Sequence, residues 1–243
     1  MVGFGIDLAG YTTGKTALAF VKIENQYVKA TLLRGSALSK KRKSDDPVDE
    51  IVAEEVKVIE RCLAIGPVAV DVPIDLQGLP NPPDPKTIWA LTRRPIDYAI
   101  NAMPPLADRI GAPVARFAAI MRKGNFYDVL GSKLFEAYPA ITLKLLKIKT
   151  AYKGKKATEG LVSLCKVLRI QQHIESDDEI DAIICAITAA TPSAGLREDD
   201  SFGAAGPLPK GFRIPKSLTF DKIDFSVRDF SELAQIQDAS FDA

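Results

Sequence analysis

The chain of 243 residues is long enough for one α/β domain with additions, and its 47% hydrophobic content is enough to bury a core. Its formal net charge of +1 excludes a global electrostatic attraction to nucleic acid or to acidic membranes, so any such partner must be bound by a local patch. The sequence has no apolar run near the roughly 18 residues of a membrane span and no signal-peptide pattern at its start. These features favour a cytoplasmic protein without a membrane partner.

Reactive side chains are scarce in this sequence. The only histidine is His173, which argues against Ser/His/Asp and Cys/His mechanisms because both need an imidazole base. The three cysteines, Cys62, Cys165 and Cys185, are far apart in apolar segments, which indicates buried thiols rather than a disulfide framework or a zinc site. An active site must therefore rely on carboxylates, lysines and metal ions.

The first ten residues, MVGFGIDLAG, read as a short buried strand that ends at Asp7 and is followed by a glycine turn. The segment GPVAVDVP repeats this arrangement with Asp71. A carboxylate on an apolar strand is costly unless it is paired, hydrogen-bonded or bound to metal. If the two strands are neighbours, both acids can face one cation.

The segment between these two strands predicts a hairpin and a helix. Residues 16–35 alternate and are rich in Val, Ile and Thr, which indicates two strands in an antiparallel meander with the first. Residues 10–16 resemble a phosphate-binding P-loop, but the glycine spacing is one residue short and a strand follows instead of a helix. Further on, Asp46 is expected to cap a helix whose first turn contains Pro47 and which ends at Gly66. The Asp71 strand then follows, parallel to the first.

Residues 73–128 are expected to form an insertion that begins as a proline-rich loop. Arg93, Arg94 and Asp97 in this region are candidates for substrate contact, with surface salt bridges as the alternative. A helical stretch around 113–121 follows. The segment LFEAYP then carries Glu136 at a strand end or sharp turn.

The C-terminal half contains a basic stretch and an acidic helix. No acid lies between Glu136 and Glu159, while six lysines including Lys153 do, so this stretch is either a polyanion-binding surface or a lysine-faced helix. In DDEIDAIICAITAAT, Asp178 and Asp181 share one face of a helix. Asp177 and Asp178 are sufficient for capping, whereas Asp181 falls on the buried side and needs a cation. Residues 199–243 form an extension that wraps the domain, makes a dimer contact or frays.

Five motifs in order, GIDLAG, VDVP, RPID, EAYP and DEIDAIICAITA, resemble the domain of unknown function 429 family, regarded as predicted nucleases of ribonuclease-H-like fold. The resemblance runs from Val2 to Thr191, with a weaker echo in GFRIP. It implies one α/β domain over residues 1–243, with a mixed sheet of antiparallel first strands and parallel later strands between helices. It also implies a central acidic cluster; the family's motif acids fall on Asp7, Asp71, Glu136, Asp178 and Asp181.

The implied activity is metal-dependent hydrolysis of nucleic-acid phosphodiester bonds. Oxygen-only ligands suit Mg²⁺ or Mn²⁺, and two such ions roughly 4 Å apart support an in-line displacement. Asp7 is expected to bridge the ions, with Asp71 and Asp178 or Asp181 as further ligands. Glu136 is expected to bind one ion or orient water, and Lys153 to neutralise phosphate. Two alternatives remain open: an actin-like or sugar-kinase-like phosphotransferase, and a catalytically inactive ribonuclease-H-like module that binds a partner.

Overall fold

The structure is a computed structural model of the whole chain. The residues that it describes are 1–24, 27–43, 45–76, 92–100, 102–105, 108–145, 153, 159–160, 162–164, 173–193 and 209–215.

The centre of the molecule is a five-stranded mixed sheet with the strand order β3-β2-β1-β4-β5. The strands are β1 (Val2–Asp7), β2 (Ala17–Glu24), β3 (Tyr27–Leu32), β4 (Val68–Val70) and β5 (Leu134–Glu136). β1, β2 and β3 form the expected antiparallel meander, while β4 is parallel to β1 and β5 is parallel to β4. The predicted ribonuclease-H-like α/β arrangement is therefore confirmed.

Helices cover both faces of this sheet. They are α1 (Val48–Ile65), α2 (Pro95–Ala99), α3 (Asp108–Gly124), α4 (Pro139–Leu145) and α5 (Asp177–Ala190). α1 and α3 pack against each other, and their apolar side chains share a core with Phe4, Ile6 and Val70 on one sheet face. α5 lies across β1, β2 and β4 on the opposite face and also contacts α4. The central strand β1 is therefore covered on both sides, as its apolar sequence predicts.

Two predicted helix starts are wrong in detail. α1 begins at Val48 with Pro47 at the N-cap position, and the Asp46 carboxylate accepts a hydrogen bond from the Lys43 amide instead of capping the helix. α5 is capped by the Ser176 hydroxyl, which accepts from the Glu179 amide 3.3 Å away. Because Ser176 performs the capping, the acids of the first turn of α5 are available for other contacts.

An unusually close approach of β1 to α5 sets the geometry of the centre. A Cβ atom added at Gly3 would lie 2.5 Å from the Ala190 nitrogen and 2.6 Å from the Ala186 oxygen. At Gly5 an added Cβ would overlap the Ala182 oxygen and the Ala186 nitrogen. The strand glycines and the helix alanines therefore allow backbone-to-backbone contact.

The remaining predictions divide between the described and the undescribed parts. The helix expected around 113–121 is α3, and the strand expected to carry Glu136 is β5. Cys62 and Cys185 are buried free thiols as expected, while Cys165 lies outside the described residues. Of the predicted extension 199–243, residues 209–215 are described, and Phe212 in the GFRIP motif forms a parallel bridge to Glu136. Within the described residues, no helix is both long and apolar enough to cross a membrane.

Candidate active site

Strand alternation brings two predicted carboxylates to the same face of the sheet. In β1, Phe4 and Ile6 point into the core beneath α1 and α3, so Gly3, Gly5 and Asp7 point towards α5. The chain continues from β4 into Asp71, whose amide donates to the Ile6 carbonyl at 2.8 Å. Asp71 therefore lies beside Asp7, as expected for two acids that end neighbouring parallel strands.

The third carboxylate of this cluster is Asp181 on α5. Its side chain is fully buried, one residue before the Ala182 backbone that contacts Gly5. One carboxylate oxygen from each of Asp7, Asp71 and Asp181 lies within 4.8 Å of the other two. The prediction that Asp181 faces the buried side and lies near the strand acids is consistent with this geometry. We call these three residues the carboxylate cluster.

Burial and mutual repulsion oppose ionisation of the carboxylate cluster. Burial, followed by the nearby Asp181 charge, raises the pKa of Asp71 to about 8. The pKa of Asp7 is also raised well above its usual range, first by burial and then by Asp71 and Asp181. Asp71 is therefore largely protonated at neutral pH.

Two flanking groups interact with the cluster. The Lys153 ammonium forms an ion pair with Asp181 Oδ2, although 56% of the Lys153 side chain is exposed. Asp178 lies at the rim of the cluster and shares a side-chain hydrogen bond with Asp7, which requires a proton on one of the two carboxyls. Burial and repulsion by Asp177 raise the pKa of Asp178. The structure thus places Asp178 next to Asp7, at the edge of the cluster.

Glu136 lies outside the carboxylate cluster, contrary to the expected common acidic centre. The strand register places Ile6, Val70 and Glu136 in one row, and Ile6 and Val70 point towards α1 and α3. Since paired residues of parallel strands point to the same face, Glu136 points away from α5. Phe135 and Ala137, the neighbours of Glu136 in sequence, pack against α5 beside Cys185 and Ala189.

Arg94 neutralises Glu136 in a buried ion network. The Arg94 side chain is 1% exposed, and its Nη1 and Nη2 donate to Glu136 Oε2 at 2.9 Å and Oε1 at 2.6 Å. The other N–H groups of the guanidinium donate to Asp97 and to the Asp75 carbonyl. All five donors are used within the protein, so the salt bridges of Arg94 are buried rather than superficial, and its contact with substrate stays a prediction. Glu136 also accepts from the Ile74 amide at 2.8 Å, which makes it a positioning residue for the loop after Asp71.

The other predicted substrate contact, Arg93, is half-buried, and its charge acts on the Tyr138 hydroxyl. Tyr138 was not predicted as a site residue, although it belongs to the EAYP motif. Burial and then the charges of Asp71 and Asp181 raise its pKa. The tyrosine hydroxyl therefore remains protonated and lies close to the carboxylate cluster.

A second buried network holds the loop that follows Asp7. Arg116 on α3 donates from Nη1 to the Ala9 carbonyl at 2.6 Å and to Thr16 Oγ1 at 2.9 Å. Its Nη2 donates to Glu55 Oε1 at 2.5 Å, and the Tyr11 hydroxyl donates to Glu55 Oε2. The sequence gives no signal for this pairing, since its members lie 61 and 44 positions apart. The network fixes the loop between β1 and β2 beside the cluster.

The carboxylate cluster opens into a cleft of about 440 Å³. The residues that line it include Asp7, Asp71, Lys15, Tyr138 and Lys153, together with Arg94 and Glu136 of the buried ion network. Asp7 and Asp71, which are partly buried, are therefore accessible from this cleft. A phosphate group that enters this cleft meets positive charge at the rim and carboxylates at the base.

The chemistry of the carboxylate cluster fits a hard divalent cation. Three carboxylates supply oxygen ligands without histidine or cysteine, and burial and repulsion between carboxylates raise the pKa of two of them, Asp7 and Asp71. Mg²⁺ prefers a few carboxylates together with water and substrate phosphates, which matches an open cleft. The donor set therefore fits Mg²⁺ or Mn²⁺ better than Zn²⁺.

We expect the stability of the metal-free protein to fall as pH rises. The folded pKa of Asp71, about 8, exceeds the value of about 3.9 in an unfolded chain, so the folded state binds more protons than the unfolded state between these limits. The stabilising protonation is complete below about pH 4 and is lost as pH rises through the folded pKa. Melting temperature in EDTA, measured from pH 5.5 to 8.5, tests this expectation.

The control for this measurement is Asp71→Asn, which removes the titrating group. We expect its melting temperature to depend less on pH than that of the wild type. Equal slopes for the two proteins would show that Asp71 does not titrate with a raised pKa.

Comparison with known proteins gives little further information. No family model matches the chain, and no curated protein matches it. Two solved structures are similar in part: Thermus thermophilus RuvC, with 18% identity and a TM-score of 0.40 over 76% of this chain and 91% of that chain; and T. thermophilus RuvC in complex with Holliday junction substrate, with 15% identity and a TM-score of 0.37 over 76% and 90%. At these identities and TM-scores, neither protein's activity is carried over to this chain.

Proposed function

We propose that the protein is a divalent-metal-dependent nuclease that hydrolyses phosphodiester bonds of nucleic acid. The observation that carries the proposal is the carboxylate cluster, whose oxygens lie within 4.8 Å of one another and two of whose members, Asp7 and Asp71, line an open cleft. Its position at the carboxyl ends of β1 and β4 supports the same proposal, because ligands of open α/β sheets bind at that edge. Membership of the domain of unknown function 429 family is retained as part of the proposal on the five sequence motifs.

Each residue of the site would have a distinct role. Asp7, Asp71 and Asp181 would hold Mg²⁺ or Mn²⁺, which supplies charge stabilisation and an activated water when bound. Asp178, bonded to Asp7 at the rim, is the residue placed to serve a second ion. Lys15 and Lys153 lie where they can neutralise a phosphate in the cleft. The Tyr138 hydroxyl can donate a hydrogen bond to a phosphate oxygen.

The proposed substrate is nucleic acid because the cleft combines oxygen ligands with cationic rims. Lys153, which lines the cleft, belongs in sequence to the lysine-rich segment 144–156, of which residues 144, 145 and 153 are described. Lysines near the phosphate backbone would supply the local patch that the net charge of +1 does not.

The metal requirement is tested by melting the purified protein with EDTA, Mg²⁺, Mn²⁺ or Ca²⁺. We expect Mg²⁺ and Mn²⁺ to raise the melting temperature of the wild type, because a ligand that binds only the folded state adds its binding free energy to stability. Asp7→Asn should lose most of this rise. Asp45→Asn, which alters an exposed aspartate away from the cleft, should keep it.

Cleavage of single-stranded and duplex DNA, RNA and DNA–RNA hybrid by the same proteins completes the test. We expect Asp7→Asn to reduce metal-dependent cleavage by about 10²-fold or more, since an oxyanion- or metal-stabilising group contributes at least this much. Cleavage that Asp7→Asn leaves unchanged would refute the assignment of the site.

Two alternatives give different results in these experiments. Stabilisation by millimolar ATP would favour the phosphotransferase, although the described residues show a single strand, β5, after β4 rather than a second hairpin. A metal-independent melting temperature would favour the catalytically inactive module.

A further inference from the structure

The ion pair between Lys153 and Asp181 lies at the position where a metal ion would be needed. Asp181 is fully buried, and its Oδ2 contacts the Lys153 ammonium. The same Asp181 carboxylate supplies one of the three cluster oxygens, which lie within 4.8 Å of one another. A cationic side chain of the protein therefore reaches into the carboxylate cluster.

The charge of Lys153 acts on more than Asp181. Burial alone would lower the pKa of Lys153, but the attraction of Asp181, Asp71 and Asp7 raises it above its ordinary value. The ammonium is thus held in its charged form by the three carboxylates together. Despite this ammonium, burial and repulsion between the carboxylates keep the pKa of Asp7 and Asp71 raised.

Lys153 is also placed so that it can leave the cluster. More than half of its side chain, 56%, is exposed, and it lines the open cleft rather than the core. A lysine has a flexible four-carbon stem and a strongly hydrated head, so release into the cleft costs little packing. Arg94, by contrast, is 1% exposed and bonded through every donor, so it is a fixed part of the fold.

We propose that Lys153 is a displaceable internal cation that occupies the carboxylate cluster in the metal-free protein and competes with the divalent metal for Asp181. This inference rests on the proposed metal-dependent function. As a consequence, the protein binds the metal more weakly than the three carboxylates would bind it without Lys153. When metal binds, the ammonium is released into the cleft, where it can meet an incoming phosphate. Metal binding would thus make the Lys153 ammonium available for phosphate in the cleft.

The strength of this competition can be stated as a change in dissociation constant. If the ion pair is formed about nine times in ten, the apparent Kd for metal is about tenfold weaker than the intrinsic one, because only the unpaired fraction is competent to bind. Removal of the ammonium should therefore tighten metal binding, whereas removal of a group that only contacts phosphate should not change it.

The test is calorimetric titration of the full chain with Mn²⁺ and, separately, Mg²⁺. For Lys153→Met we expect a Kd about tenfold lower than that of the wild type. We also expect a lower melting temperature in EDTA, because the cluster has lost its counter-charge. Lys153→Arg keeps the charge and should bind metal about as weakly as the wild type. Lys133→Met is the matched control. Lys133 is exposed on the turn directly before β5, so this substitution should change neither the Kd nor the melting temperature.

The possible results separate the two proposals. Equal or weaker metal binding by Lys153→Met, with the wild type binding metal, would overturn the competition and leave the nuclease proposal intact. Failure of both proteins to bind either ion would overturn the nuclease proposal and the competition with it. If Lys153→Met does not fold in EDTA, Lys153→Gln gives the same comparison with a polar, uncharged side chain.

Discussion

Gly5→Ala is expected to destabilise the protein severely or to prevent folding. A Cβ at this position would overlap backbone atoms of Ala182 and Ala186, and backbone cannot move aside as a flexible side chain can. Overpacking of a core typically costs about 1 to 3 kcal/mol, and displacement of a whole helix should reach or exceed the upper end. For a domain of this size, such a loss lowers the melting temperature by on the order of 10 °C. Thermal and urea unfolding of the two proteins measure the effect.

Gly111→Ala is the matched control for this prediction. An added Cβ at Gly111 meets no atom within 4 Å, and the residue lies within α3. Because alanine favours helix over glycine, this variant should be equal in stability to the wild type or more stable by about 0.5 to 1 kcal/mol. Similar effects of the two substitutions would show that β1 and α5 are not in backbone contact.

The same contact links stability to the site. α5 can place Asp181 beside Asp7 only if its backbone lies close to β1, and side chains larger than hydrogen at Gly3 and Gly5 would hold it away. A variant at Gly5 that still folds is therefore expected to lose metal-induced stabilisation as well. The glycines of GFGID therefore affect the site because they set the distance between β1 and α5.

The sequence predicts the meander, the central strand and the acidic helix well because each has a strong local pattern. β1 is apolar throughout and ends at an acid, β2 begins with five apolar and buried residues, and β3 alternates apolar and polar residues in VKATL. In α5, the spacing of Asp178 and Asp181 fixes their common face, and the surrounding alanines and isoleucines show that this face is buried. These features depend on neighbours within a few residues.

The orientation of Glu136 could not be predicted in the same way. β5 has three residues, all buried, so no alternation of polar and apolar residues shows which face Glu136 occupies. The answer depends on register with β4, and on Arg94, which lies 42 positions away. Lys153 presents a similar problem, because six lysines in its stretch look equivalent in sequence and only tertiary structure shows that Lys153 reaches Asp181.

Arg94→Met is expected to cost the protein about 3 to 5 kcal/mol, because removal of one member of a buried ion network leaves the others uncompensated. Glu136 and Asp97 are 3% and 1% exposed and would both lose their charged partner. The guanidinium bond to the Asp75 carbonyl would also be lost, so the loop that follows Asp71 would lose one of its anchors. Thermal and urea unfolding are the measurements.

Arg34→Met is the control, since Arg34 also pairs with two carboxylates, Glu175 and Glu179. The Arg34 side chain is 43% exposed, so this pair is screened by solvent and its loss should cost about 1 kcal/mol or less. Equal costs for Arg94→Met and Arg34→Met would contradict the description of Arg94 as the buried counter-charge of Glu136.

The double variant Arg94→Met/Glu136→Gln separates charge from packing. If the unpaired Glu136 carboxylate causes most of the loss, removal of its charge should restore part of the stability that Arg94→Met removes, so the two effects should not be additive. Additive losses would mean that the network stabilises the fold through packing and the Ile74 and Asp75 backbone contacts. In the first case, Arg94 serves chiefly to keep a third strand-borne acid from adding its charge beside Asp71, whose pKa the Glu136 charge already raises. The two faces of the sheet would then hold their acids by different means, a fixed arginine on one side and an exchangeable cation on the other.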